Sequence, residues 1–573
     1  MTPSPASLLA PGETPAERAA RRTLAATKKT SASAKKTAKA KARAKAKAKA
    51  KKKKQLPVCN AKDLKKSKKK RRKCRVVKKK TPAKNAAQAP SPAGPIAAPP
   101  ATSPSPDAFP TPPIAAPYPG IATYAGPWGV EQATRLLFRA GFGPTPGQAE
   151  EFARIGLRAS VDRLLNPGGT ERIGPAPTGT YLVGGDFAPA DRYGHLHLDF
   201  LDRAVRGRDQ LGERMTLVLH DWFAVSENSV DRPLVVNHLQ LLRAGWRGSF
   251  RKLLIDVTQD PAMLNFLDGT SNRKGAPNEN YARELQELFA LGADRGAYTE
   301  TDVRELARAL TGFRNDWSEE LRSHNFRFDP TRFDSGTKTI YAGTGWERSG
   351  RLGWQDAVNA VVDHPMHPSF VVLKLWSYFI PTAPTPETQA GLEAIYRTSG
   401  EQLLPLLDAI LVHPDLHQGA SMAKPPVVFA AGLLRGRGVG ISTDAWTWMG
   451  NNAGQMIGQP PNVAGWNDRA WLNTSSHSAR WTMVVNLVRA SLATAAGYRG
   501  KTESSAEAVD AALGFWGRPT VSAEHARVLA AVAAETWAPR TPGDQYGSME
   551  TFLTQRQNAL RVMVAAAPDA QVS

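Results

Sequence analysis

The sequence predicts a mainly α-helical globular body with a small β-hairpin or loop insertion near residues 324–355, preceded by a disordered basic tail. Three observations carry that prediction. Apolar residues recur at helical spacing almost throughout the second half of the chain and most of its middle. Asn325-Phe326-Arg327-Phe328-Asp329 alternates instead, and a Gly-, Thr- and Tyr-rich segment follows it. Lys28 to Lys84 is Lys/Ala low complexity with almost nothing to bury.

Charge divides the chain in the same way. Residues 1–127 hold 31 Lys+Arg against 4 Asp+Glu, a balance of +27. Residues 128–573 hold 44 against 47, a balance of −3. Lysine supplies 24 of the 31 cations in the first part but only 6 of the 44 in the second. Chain entropy and self-repulsion keep a segment such as Lys39-Ala40-Lys41-Ala42-Arg43-Ala44-Lys45 from folding. Residues 1–84 are therefore read as the tail and 85–127 as a Pro/Ala-rich, stiff, extended linker, exemplified by Pro110-Thr111-Pro112-Pro113. The body runs from 128 to 500, and 501–573 is expected as a helical extension packed on it.

The only cysteines, Cys59 and Cys74, lie in the tail with fourteen residues between them. No histidine or second cysteine pair accompanies them, which argues against zinc and leaves a disulfide or two separate thiols. The body has no cysteine, so Cys nucleophiles and Cys-ligated metals are excluded there. No apolar run of about 18–20 residues occurs, so no membrane span is expected. Ser7-Leu8-Leu9-Ala10 is too short for the core of a signal peptide and Pro11 follows it. An internal location, or a start lying upstream, is the expectation from that end of the sequence.

Within the body, Val130 to Ala140 forms the first predicted helix, with Ala133, Leu136, Leu137 and Ala140 on its apolar face. Thr145-Pro146 opens the second, threonine capping and proline in the first position. Leu211 to Val225 carries Met215, Val218, Leu219, Trp222 and Phe223 on a face broad enough for a buried helix. Thr299-Glu300-Thr301-Asp302 resembles a capping box before the helix that Gly312 ends. His364-Pro365 and His413-Pro414 each close a helix, with His367 and His417 following, a weak echo of one helix-turn-helix unit.

Chemistry concentrates between Asn272 and Gly292. On a helix, Asn280, Glu284 and Glu287 share one side, while Glu279, Arg283 and Glu287 form an overlapping row. Glu284 and Glu287, one turn apart, can hold a divalent cation or divide acid and base roles. They are thus the candidate catalytic and metal-binding carboxylates, with His220 beside Asp221 as the candidate acid/base. Equally, Arg283 can tie Glu279 and Glu287 in ion pairs worth about 0.2–0.5 kcal/mol each, with Asn278 or Asn280 capping the helix. His220 can be a satisfied core histidine, and the His-Pro residues can be simple helix ends.

Candidate binding residues are Asn278, Glu279, Arg283, Lys424, Asn462, Trp466 and Asn473. Trp446, Trp448, Trp466, Trp471 and Trp481 fall within thirty-six residues. Together with Asn462, Asn467, Asp468 and Asn473 they can stack and hydrogen-bond sugar rings, or simply pack a helical core. There is no phosphate-binding Gly-rich loop after a strand, no Gly-x-Ser-x-Gly and no His-Glu-x-x-His.

The run Asn272-Arg273-Lys274-Gly275-Ala276-Pro277-Asn278-Glu279-Asn280-Tyr281-Ala282-Arg283-Glu284-Leu285-Gln286-Glu287-Leu288-Phe289-Ala290-Leu291-Gly292 resembles the signature of domain-of-unknown-function family 1800, large helical bacterial proteins. Other segments fit that family in order. They are Leu136 to Thr145, Asp302 to Gly312, His364-Pro365 with Lys374-Leu375-Trp376, Lys424-Pro425-Pro426, and Pro460 to Trp466 with Trp471 to Thr474. The resemblance covers roughly 130–490. It implies a helical fold and an extracellular or cell-envelope location, and no reaction. Trp222 stands where family members often carry a second histidine after His220, which weakens a two-histidine metal site.

The functional expectation is an exported or envelope-associated binding or scaffolding protein, held by residues 28–84 to an anionic polymer. That polymer can be an envelope polymer, a membrane surface or nucleic acid. The alternatives are a metal-assisted hydrolase using Glu284 and Glu287, and a nucleic-acid-associated protein acting through the tail. No cofactor is identified beyond a divalent cation at those two carboxylates.

Overall fold

Among the described residues, regular structure begins at Val130, where glycine precedes a ten-residue helix whose Ala133, Leu136 and Leu137 are buried as the periodicity requires. The computed structural model describes residues 118, 120–318, 323–535 and 548–573. The basic run 28–84, both cysteines and the linker up to residue 117 lie outside the described residues. Among those described, helices dominate and the strands form two separate two-stranded antiparallel sheets. One continuous apolar cluster runs from Ile121 to Ala566.

The second helix starts later than Thr145-Pro146. It spans Gln148–Ile155, because Gly147 takes φ +79° and breaks the helical path just before it. Thr145 still shapes the entry: its N–H and hydroxyl both donate to Gln148 Oε1, at 3.0 and 3.2 Å. The expected buried helix spans Gln210–Trp222 and is covered on nearly every side. Asp209 caps it through Oδ1, which accepts from Gly212 N at 2.8 Å. Helices Arg232–Gly245 and Phe250–Gln259 follow it in the chain.

The capping box forms as expected. Thr299 Oγ1 accepts from Asp302 N at 3.3 Å, and Asp302 Oδ2 accepts from Thr299 N at 2.8 Å. The second carboxylate oxygen of Asp302 accepts from Tyr341 N at 2.6 Å, tying this helix start to the β insertion. Gly312, at φ +96°, then turns the chain into the first hairpin. Its strands, Phe313–Ser318 and Ser323–Phe328, pair Phe313 with Phe328 and Ser318 with Ser323. The insertion therefore starts before 324. A second pair, Lys338–Ile340 with Arg348–Gly350, completes it.

Both His-Pro turns work alike. His364 Nδ1 accepts from Met366 N at 3.1 Å and His413 Nδ1 from Asp415 N at 3.2 Å, each imidazole turning the chain into the next helix. The 501–573 segment folds as helices Ser505–Phe515, Ala523–Ala533, Met549–Ala566 and Pro568–Gln571. It returns to the rest of the body as a short antiparallel rung: Met422 and Ser573 exchange main-chain hydrogen bonds at 2.9 Å, and Lys424 N donates to Gln571 O at 2.8 Å. No helix of the described residues is long and apolar enough to cross a membrane.

Candidate functional site

The buried helix Gln210–Trp222 carries His220 and Asp221 side by side, and consecutive helical residues diverge by about 100°. They therefore meet different neighbours. His220 is fully buried, its Nε2 accepts from Gly458 N at 3.1 Å, and its ring meets Trp466 edge-on at 5.2 Å. Burial, with His238 adding to it, pushes its pKa well below the usual value, so the ring is neutral. Nδ1 then carries the hydrogen, and among the described residues no group accepts it. A buried histidine–carboxylate pair forms instead at the neighbouring His238. His238 Nδ1 lies 2.7 Å from Asp260 Oδ2, and its Nε2 lies 2.8 Å from Phe223 O. Asp260 also caps the Pro261–Phe266 helix.

Asp221 is the centre of a second group. Oδ2 accepts from the Tyr378 hydroxyl and Oδ1 from the Trp466 main-chain N–H, both at 2.6 Å. The approach of Trp466 depends on Gly465, at φ +85°, where a Cβ would sit 2.5 Å from the Asp221 carbonyl oxygen. Lys374 lies one turn before Tyr378 in and beyond the His367–Ser377 helix. Its ammonium donates to Leu288 O at 3.2 Å and stands 5.0 Å from the Trp222 ring centre.

Asp221, Lys374 and Tyr378 are each partly exposed, so the group is not sealed from solvent. Their charges are strongly perturbed. Burial raises the Asp221 carboxyl, opposed by Tyr378, Trp466 and Lys374. Burial pulls Lys374 down to about 8, opposed by Asp221. Burial and Asp221 push Tyr378 well above the ordinary phenol value. An amine near neutrality beside a carboxylate and a phenol can donate or accept a proton and can bind polar groups of a ligand.

Leu288 O is free for Lys374 because the signature helix changes pitch. Asn280–Glu284 is α-helical, and Leu285–Ala290 continues as a π-helix. Gln286 O accepts from both Leu291 N and Gly292 N, at 2.8 and 3.1 Å. The next carbonyls point outward: Leu288 O takes Lys374, Phe289 O takes Trp222 Nε1 at 3.2 Å, and Ala290 O takes His367 Nδ1 at 2.9 Å. Short π segments recur at functional sites because they redirect such groups.

The remaining candidates are distributed. Arg283 pairs through both terminal nitrogens with Glu300, at 2.7 Å each, and with Glu279 at 3.4 Å. Glu287 lies near the Tyr298 hydroxyl, whose pKa burial raises and Glu287 raises further. Glu284 is half-buried near Glu287, and burial raises its carboxyl, Glu287 adding to the effect and Arg283 opposing it. Among the described residues no group of three His, Cys, Asp or Glu side chains is placed to hold a metal ion. Asn278 Oδ1 accepts from Asn280 N at 3.0 Å and shapes the helix entry. Behind it the buried Asn272 donates to Ala307 O at 2.8 Å and accepts from Asn278 N at 2.9 Å.

Asn462 Oδ1 accepts from Ala464 N within its own loop, and Asn473 caps the Thr474–Arg489 helix. Trp446 and Trp466 are buried, whereas Trp448 and Trp481 are exposed, so these tryptophans do not form one platform. Lys424 lies apart, its ammonium donating to Ala570 O. The structure thus joins His220 and Trp466, and Glu284 and Glu287, but brings neither carboxylate to His220 by any hydrogen bond.

Sequence reasoning did not give roles to Tyr378 or Lys374. One signal was present: a body with 38 arginines keeps only six lysines, and lysine, unlike arginine, releases its proton when buried. Lys374 and Lys424 are two of those six, and both are depressed.

A family model described as a protein of unknown function, DUF1800, matches residues 135–572. The match reaches well beyond the 490 at which the motifs thin out, and takes in the C-terminal helices. No curated protein and no solved structure matches the chain.

Proposed function

The chain belongs to the DUF1800 family, and from that premise we propose that it is an exported or envelope-associated binding protein. Residues 28–84 tether it to an anionic polymer, and the partly exposed polar group of Asp221, Lys374 and Tyr378 receives its ligand. The observation that carries the binding role is convergence. Four segments far apart in sequence, ending in Asp221, Leu288 O, Lys374 with Tyr378, and Trp466 N–H, meet in one partly open polar group. Such grouping of perturbed side chains is characteristic of sites. The charge division supports the tether, since a body at −3 leaves polyanion binding to the +27 segment.

The test compares the full chain with a variant lacking residues 28–84, in cell fractionation and in sedimentation with anionic and neutral vesicles. The reading predicts recovery with the envelope or medium, and polyanion binding that weakens steeply with salt and vanishes with the deletion. Recovery with the nucleoid would instead support the nucleic-acid reading and overturn this one. The hydrolase reading rests on the proximity of Glu284 and Glu287 alone, which no third donor joins among the described residues.

A further inference from the structure

A second lysine occupies different surroundings. Lys424 precedes the Pro426–Gly436 helix and is almost wholly buried. It lines a cavity of about 380 Å³, within the range of small-ligand sites. The walls are largely apolar, formed by Phe138, Phe429, Leu433, Trp516 and Val564. The ammonium stands 3.8 Å from the centre of the Phe138 ring and donates to Ala570 O at 2.9 Å.

An ammonium has three hydrogens to place. Ala570 O takes one and the ring face of Phe138 meets the charge, so donor capacity is left over. Among the described residues no carboxylate is paired with Lys424, and the charge acting on it is that of Arg480, of the same sign. Burial and Arg480 together pull its pKa down to about 7. Arg135 lines the same cavity, with a buried Nε that has no partner among the described residues. The acids that also line it are committed or peripheral. Asp569 accepts from Ser522 N at 2.7 Å and lies 3.3 Å from His525 Nδ1, while Glu131 is exposed, one turn before Arg135.

A buried cation without an anion is costly. A ligand that supplies the anion and fills the apolar walls removes that cost and gains the burial of its own hydrocarbon. We propose that this cavity binds a monocarboxylate with an apolar body, its carboxylate on Lys424 and its hydrocarbon against Phe429, Leu433 and Trp516. This proposal uses neither the Asp221 group nor the basic tail, and stands or falls independently of both.

The test is calorimetric titration of the full chain with decanoate and with decanol, in enough salt to screen the tail. The expected result is saturable one-to-one binding of decanoate, with decanol at least about tenfold weaker because it cannot neutralise the ammonium. Lys424→Met is expected to lower decanoate affinity at least tenfold while leaving decanol binding unchanged. Leu433→Trp, which fills the cavity and keeps the lysine, is expected to abolish both. Equal affinity for decanoate and decanol overturns the proposal, as does undiminished decanoate binding by a folded Lys424→Met variant. The comparison of the two ligands on the unsubstituted chain needs no variant to fold.

Discussion

Replacing Tyr378 with phenylalanine removes one hydroxyl and tests whether Asp221 is held as a carboxylate. The hydroxyl donates at 2.6 Å to a partly buried carboxylate, a short charge-assisted bond. Such a bond contributes about 1.5–3 kcal/mol, against about 0.5–1.5 kcal/mol for a neutral one. In an Asp221→Asn background only the neutral bond remains to lose. A double-mutant cycle should therefore give a coupling of about 1–1.5 kcal/mol.

pH supplies an independent arm. Asp221 has a raised pKa in the fold, so the folded chain keeps that proton longer than the unfolded chain. Its contribution to stability falls as pH rises from the unfolded value through the folded one. Loss of Tyr378 raises the folded value further and steepens that fall, making the cost of Tyr378→Phe larger at pH 7 than at pH 4. Urea unfolding of the four proteins at both pH values, followed by tryptophan fluorescence, measures all of this. Equal cost in both backgrounds and at both pH values would refute the charged-carboxylate reasoning.

Gly465→Ala should cost at least about 3 kcal/mol, combining a left-handed backbone angle with an overlap on the Asp221 carbonyl oxygen that cannot rotate away; the urea midpoint reads it. In the signature, Arg283→Ala should change stability by less than about 1 kcal/mol, because its partner Glu300 is largely exposed. Asn272→Ala should cost about 2 kcal/mol or more, since two buried hydrogen bonds go with it; the order of the two unfolding midpoints is the check. Lys424, depressed to about 7 in the fold, sheds its proton there before the unfolded chain does. Parent stability should therefore gain a rising component between about pH 7 and pH 10, and Lys424→Met should flatten that rise in a pH series of unfolding curves.

Local rules made much of the fold legible. The apolar period of Ala133, Leu136 and Leu137, the Thr299–Asp302 box and the glycine stop at Gly312 each depend on neighbours within a few residues. The π-helix was hidden because Leu285, Leu288 and Phe289 suit an α-helix as well as a widened turn. His220 and Asp221 read as a pair only along the chain, since helical rotation gives them separate partners. The Asp221 group joins residues 157 and 245 positions apart, and no periodicity reports such a meeting. The scarcity of lysine in the body was visible, but its meaning depends on burial, which only packing reveals.

The widened turn at Leu285–Ala290 has a consequence for how this family is dissected by mutation. Its three outward carbonyls fasten Lys374, Trp222 and His367 from the main chain, so the side chains of Leu288, Phe289 and Ala290 do not carry those links. An alanine scan of the segment would report only packing and pass over the fastening entirely. Main-chain amide-to-ester exchange at the following residues weakens each carbonyl in turn, and would expose a junction that conventional mutagenesis leaves silent.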